Sequence, residues 1–170
     1  MLSEKFIEML NEQIRFEMES AHYYMAMAAY CDFEDLPGFA HFLKVQAEEE
    51  NFHAKKFYDF VNDIDGRVKM GKLNEPKNDY ESLLEVFETA LQHEKKVTKR
   101  IYDLMDVAQE EKAYSAMSIL NWFIDEQVEE ENSMNDIIIR IKRIGDNSHG
   151  LYMLDNQLGQ RVFTPPADEE

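Results

Sequence analysis

Glu17, Glu50, His53, Glu94 and Glu130 stand where the chain repeats apolar residues at helical steps, so five groups able to bind cations are aimed at an interior. Glu17 follows Ile14 by three residues and precedes Ala21 by four and Tyr24 by seven. Glu50 lies seven residues from both Leu43 and Phe57, and His53 lies three from Glu50 and four from Phe57. Glu94 comes four after Ala90, three before Val97 and seven before Ile101. Gln127 and Glu130 follow Phe123 by four and seven residues and precede Met134 and Ile137. Four separate segments thus each deliver an acid to the buried side.

Burying one ionised carboxylate costs several kcal/mol even after relaxation, and several together repel one another. Such a group persists by taking up protons, by pairing with buried bases, or by sharing polyvalent cations. Lys44, Lys55, Lys56, Lys95 and Lys96 fall on outer faces, and no Lys or Arg shares the inward stripes, so metal is the favoured compensation. Single glutamates on two helices together with Glu50-x-x-His53 match the arrangement used for carboxylate-bridged di-iron and di-manganese sites. A lone Glu-x-x-His carries little weight in so acidic a chain; agreement among four helices carries much more.

The elements that position these groups follow from the same periodicity. A first helix is predicted from about Ser3 to Cys31, and a second from Pro37, which suits a first helical turn, to about Asp63. Residues 64–79 hold Gly66, Gly71 and Pro76 without helical period and form one long connector. A third helix is predicted from about Asp79 to Ala108, and a fourth from beyond Glu111 to Gly145. Short links make neighbouring helices antiparallel, whereas the long connector lets the second and third run parallel. The expected fold is an all-α four-helix bundle with one long crossover and a short fifth helix at about 147–158. That helix is expected to lie against neighbouring subunits, with a flexible tail at 164–170.

Composition sets the outer bounds. With 170 residues and 44% hydrophobic content, the chain is read as a single domain, 1–170, with the bundle at about 3–145. A net charge of -17 argues against nucleic acid and against anionic membranes, and makes cations the natural counterpart. Cys31 is the only cysteine, which rules out an intrachain disulfide and a multi-cysteine cluster. The opening Met1-Leu2-Ser3-Glu4-Lys5 does not begin a signal sequence, and no apolar run reaches the roughly 18 residues of a membrane span. The expected location is the cytoplasm.

Four stretches carry a resemblance: Leu10-Asn11-Glu12-Gln13 leading to Glu17, Gln46-Ala47-Glu48-Glu49-Glu50-Asn51-Phe52-His53, His93-Glu94, and Trp122 through Glu131. Together with Gly150-Leu151-Tyr152 and Leu158-Gly159-Gln160-Arg161, they resemble the non-haem bacterial ferritins over nearly the whole chain. The resemblance implies that Glu17, Glu50 and His53 bind a first iron, and that Glu50 bridges to a second held by Glu94 and Glu130, with Gln127 close by. It implies a third iron position built from Glu49, Glu126 and Glu129 and sharing Glu130, and it sets Tyr24 beside the centre as an electron donor. The implied activity is a ferroxidase that oxidises Fe(II) with dioxygen or peroxide and stores ferric oxyhydroxide inside a homo-oligomeric cage of twenty-four subunits with octahedral symmetry.

Departures from related families sharpen this. Bacterioferritins carry a second Glu-x-x-His on the fourth helix, where this chain has Gln127-Val128-Glu129-Glu130; the second iron is therefore expected to be held more weakly and to move on to storage. Phe52 stands at the position of their haem-binding methionine, so no haem is expected. A mini-ferritin cage would place its metal between subunits, and a rubrerythrin-like oxidase would add the second Glu-x-x-His or a cysteine set. His22, His41, His93 and His149 lack the spacing of His53 and are read as surface or hydrogen-bonding residues.

Overall fold

In the computed structural model, which describes residues 2–166, the chain forms five helices: α1 (Glu4–Phe33), α2 (Pro37–Asp63), α3 (Leu83–Glu110), α4 (Tyr114–Ile144) and α5 (Ser148–Leu158). The expected all-α bundle with a short fifth helix is what folds. Three helix starts are fixed by side-chain caps. Ser3 accepts from the Phe6 N–H at 3.1 Å, Ser82 from that of Glu85 at 3.1 Å, and Asn147 from that of Gly150 at 2.9 Å. Asp35 and Lys112, at φ 57° and 53°, turn the chain between α1 and α2 and between α3 and α4, so each pair is antiparallel.

The connector shows how the two pairs are joined. Asn11 donates to the Arg67 carbonyl at 3.0 Å and accepts from the Lys69 N–H at 2.6 Å. Two turns further along α1, Glu19 accepts from the Asn74 N–H at 2.9 Å. Residue numbers rise together on both strands of this contact, so the connector runs alongside α1 in the same direction and returns the chain to the end where α2 began. Helix α3 then starts parallel to α2. The connector is longer than the sequence pattern indicates, because residues 79–82 belong to it. The Ser82 hydroxyl caps α3, and Tyr80 donates to the Lys77 carbonyl at 3.0 Å, which holds this stretch out of the helix.

Helix α2 has no side-chain cap of its own. Asp155 of α5 supplies one instead, its Oδ1 accepting from the Gly38 and Phe39 N–H groups at 2.8 and 3.0 Å. The approach is so close that a Cβ at Gly38 would come within 1.7 Å of the Asp155 carbonyl oxygen. Leu154 and Leu158 enter the core beside Phe39 and Leu43. Helix α5 therefore docks on its own bundle, and its Tyr152 and Met153 remain exposed. Residues 164–166 are non-helical, and the remainder of the expected tail, 167–170, lies outside the described residues.

The apolar core is divided. One cluster gathers Tyr24, Cys31, Phe39, Leu43, Phe87 and Ile137, and the other gathers Phe6, Ile14, Phe57, Ile101, Leu120 and Phe123. Buried polar side chains, the acids among them, supply the layer between the two. No helix among the described residues is long and apolar enough to cross a membrane.

Candidate metal centre

Glu17 on α1, Glu50 and His53 on α2, Glu94 on α3, and Gln127 and Glu130 on α4 are all buried, none more than 6% exposed. The helical stripes read from the sequence bring them into one layer. Glu17, Glu50 and His53 form a group whose ligand atoms lie within 4.8 Å of one another. His53, Glu126 and Glu130 form a second such group. The imidazole spans the two, with Nδ1 3.7 Å from Glu50 Oε2 and Nε2 3.9 Å from Glu126 Oε2. Its ring is walled by Trp122 and Phe123, with centroids at 5.6 and 5.5 Å.

Glu94 is held differently. Tyr24 donates its phenolic proton to Oε1, and Gln127 Nε2 donates to Oε2 at 3.1 Å and to the Glu94 carbonyl at 3.2 Å. Gln127 therefore turns its amide nitrogen toward Glu94 and orients that carboxylate. Beyond Gln127 a cavity of about 190 Å³ opens past Thr98, Tyr102 and Glu131.

The residues of the expected third position are less tightly gathered. Glu126 is half-buried and joins His53 and Glu130, Glu129 is exposed, and Glu49 pairs with Arg161. A surface cavity of about 320 Å³ leads toward His53 between Glu49, Trp122 and Glu126 on one side and segment 162–166 on the other. Phe163 packs edge-on against Phe52, with centroids 5.7 Å apart.

Electrostatics set the chemistry of the layer. Burial pushes the Glu17, Glu50 and Glu130 carboxyls well above the usual range, and neighbouring carboxylates push them further. Burial also raises Glu94, against hydrogen bonds from Tyr24 and Gln127 that lower it. The Tyr24 phenol is raised well above its ordinary value by burial and by Glu94. Among the described residues, two buried side-chain atoms lack a hydrogen-bond partner, Glu17 Oε2 and Glu50 Oε2. A proton held between the two carboxyls, or a cation, would satisfy both. With donors of carboxylate oxygen and imidazole nitrogen, the layer suits first-row divalent metals, iron included.

Several neighbours have no signal in the apolar pattern. Gln13 and Gln46 are completely buried, and their amides donate to Glu17 Oε1 at 2.7 Å and to Glu130 Oε2 at 2.6 Å. Each sits four residues before a stripe acid, and that spacing is the clue that would have found them. Arg161 reaches Gln46 and Glu49 from beyond α5, so the acids have a basic neighbour that the helical stripes do not show. His93 is buried as well as hydrogen-bonded, meeting Ser20 Oγ at 2.6 Å and stacking on Phe16 at 5.1 Å.

Comparison with known proteins gives a consistent result. A family model described as a Ferritin-like domain matches residues 7–144. The bacterial non-heme ferritin of Staphylococcus aureus (strain USA300) is 46% identical over 170 residues, covering 100% of both chains. That of Staphylococcus haemolyticus (strain JCSC1435) is 45% identical, again over the full length of both. Among solved structures, an engineered closed form of the Archaeoglobus fulgidus ferritin superposes with a TM-score of 0.94 at 43% identity, covering 96% of this chain and 100% of that one. The open pore ferritin of the same archaeon gives 0.92 at 42% identity, with coverage of 94% and 98%.

Proposed function

Since this chain belongs to the ferritin family, we propose that it stores iron by oxidising Fe(II) at an intrasubunit pair of metal positions and depositing ferric oxyhydroxide inside a hollow cage. The observation that carries this reading is the buried Glu17, Glu50 and His53 group, whose ligand atoms lie within 4.8 Å while Glu17 Oε2 and Glu50 Oε2 have no hydrogen-bond donor among the described residues. In this assignment Glu17, Glu50 and His53 take the first ferrous ion. Glu50 bridges to the second, which Glu94 and Glu130 hold and which Gln127 serves by fixing Glu94. The cluster of Glu49, Glu126 and Glu129, with Glu130, takes a third.

The chemistry follows from the donors. Carboxylate oxygens stabilise Fe(III) over Fe(II), so each ferrous ion bound here gives up an electron more readily to dioxygen or peroxide. Metal binding displaces the protons that burial retains on Glu17, Glu50 and Glu130. Tyr24 is placed to supply a further electron, its proton already bonded to Glu94. Without a second imidazole among its ligands, the second position holds iron transiently, and ferric product leaves for the mineral.

The net charge of -17 fits an acidic cage interior that concentrates cations. The proposal includes one domain per chain, a homo-oligomer of twenty-four subunits, a cytoplasmic setting and no requirement for haem. The test is aerobic addition of Fe(II) to purified protein, with particle size, iron per subunit and electron-dense cores followed together. Iron far in excess of three ions per subunit inside uniform hollow particles is expected. Uptake that stops at the number of binding positions, with no core, rejects storage.

A further inference from the structure

Two half-buried arginines make the same set of contacts on different helices. Arg100 of α3 donates through Nε to Gln13 Oε1 at 2.9 Å and lies over the Phe16 ring, 4.5 Å from its centroid. Arg161, just beyond α5, donates through Nη1 to Gln46 Oε1 at 2.7 Å and lies over the Phe42 ring at 4.2 Å. Each glutamine passes the contact inward. Gln13 Nε2 donates to Glu17 Oε1 at 2.7 Å, and Gln46 Nε2 donates to Glu130 Oε2 at 2.6 Å and to Glu50 Oε1 at 3.3 Å.

A guanidinium carries only donors, so a glutamine amide can meet it only through oxygen. Pinned that way, the amide nitrogen is committed to the acids. A glutamine free to rotate about its last bond could instead turn its oxygen on a carboxylate and push it out of place. Stacking on phenylalanine and the planar fork restrict the arginine in turn, so little freedom enters the chain of contacts from outside. On Glu17 and Glu50 the glutamines hold Oε1, which leaves Oε2 of each open to a cation.

We infer that Arg100 and Arg161 are positioning residues of the metal centre, Arg100 acting through Gln13 on Glu17 and Arg161 acting through Gln46 on Glu50 and Glu130. The inference rests on the ligand assignment proposed above and adds an asymmetry to it. Arg100 governs the first position alone, whereas Arg161 governs the second and, through the shared Glu50, reaches the first as well. Arg161 also pairs with Glu49, so its effect on the inner positions must be separated from any effect on the outer one.

The test is anaerobic titration of the metal-free full chain with cobalt(II), read by calorimetry and by the visible ligand-field bands, with His53→Ala assigning the step of the first position. Arg100→Met is expected to weaken that step and leave the other unchanged, whereas Arg161→Met is expected to weaken the other and, through the shared Glu50, the first as well, each on the order of tenfold. Arg161→Met should cost nothing further in a Gln46→Met background, nor Arg100→Met in Gln13→Met, because each arginine acts through its glutamine. Weakening of the second step by Arg100→Met, an unchanged second step in Arg161→Met, or full additivity in the paired backgrounds overturns the inference. Should the methionine variants not fold, Arg100→Gln and Arg161→Gln carry the same arms with the same opposing outcomes. Failure of the underlying ligand assignment looks different: Glu50→Ala would then bind cobalt(II) with unchanged stoichiometry, whatever the arginines do.

Discussion

Glu17 and Glu50, one on each helix of the first antiparallel pair, each have Oε1 bound by a glutamine one turn earlier and Oε2 without a hydrogen-bond partner among the described residues. The two helices thus present matched carboxylates with one coordination site each, and His53 completes the group. A site prepared in this way loses more when the shared acid is removed than when a terminal ligand is.

Replacing Glu50 with Ala is therefore expected to remove the fast phase of Fe(II) oxidation in stopped-flow absorbance. The loss should exceed the roughly 10- to 100-fold typical of deleting a supporting partner, because a bridging ligand goes. An unchanged fast phase would reject Glu50 as the bridge.

The metal-free protein should lose stability as pH rises. Glu17, Glu50 and Glu130 keep protons in the folded state above the ordinary carboxylate value of 4.5, first because of burial. The folded chain then binds more protons than the unfolded one, and stability that is complete below that value falls as pH climbs toward the raised one. Glu17→Gln removes one such group and should flatten the decline while raising the melting temperature at neutral pH. Thermal unfolding of the metal-free variant between about pH 5 and about pH 8 measures this; a slope as steep as wild type's counts against it.

His93 carries the opposite sign. Burial lowers its pKa from 6.5 to about 4, with Lys96 adding to the effect. The unfolded chain binds the proton first, so stability present above 6.5 is lost as pH falls toward 4, by about 3 kcal/mol. His93→Gln, which keeps an amide near Ser20, should show correspondingly less loss over that interval. Parallel acid-unfolding curves for the two proteins would show that His93 does not titrate there.

Gly38→Ala should undo the docking of α5. Its new Cβ would stand 1.7 Å from the Asp155 carbonyl oxygen, which is backbone and cannot turn aside. We expect destabilisation of about 1–3 kcal/mol and faster hydrogen exchange at the start of α2 and through α5. Wild-type exchange in both segments would mean that the contact is not needed.

Much of this architecture is legible in the sequence, for a physical reason. Helices bury one stripe, so Glu17, Glu50, Glu94 and Glu130 announce themselves as charged residues in apolar positions. Gln13 and Gln46 occupy the same layer but are uncharged, and a neutral amide costs far less to bury than a carboxylate, so it stands out only beside a stripe acid, as Gln127 does beside Glu130. Arg161 is a different case. Its contact with Gln46 exists because Asp155 caps α2 and so seats α5, a relationship between segments more than a hundred residues apart that no local period encodes. The start of α3 is misjudged for a third reason: residues 79–81 tolerate helix, and the Ser82 hydroxyl fixes the boundary by capturing the Glu85 N–H. The ring of residues around the expected third position rests on resemblance, since Glu49, Glu126 and Glu129 look like ordinary surface acids until His53 and Arg161 are set beside two of them.

The division of the hydrophobic interior has a mechanical meaning. Two greasy blocks meet across a seam of buried carboxyl groups, and in the bare protein that seam is where cohesion is weakest. A multivalent ion bound by acids from four helices would act there as a rivet, so that loading with metal would tie the two halves of the bundle together as well as begin a reaction.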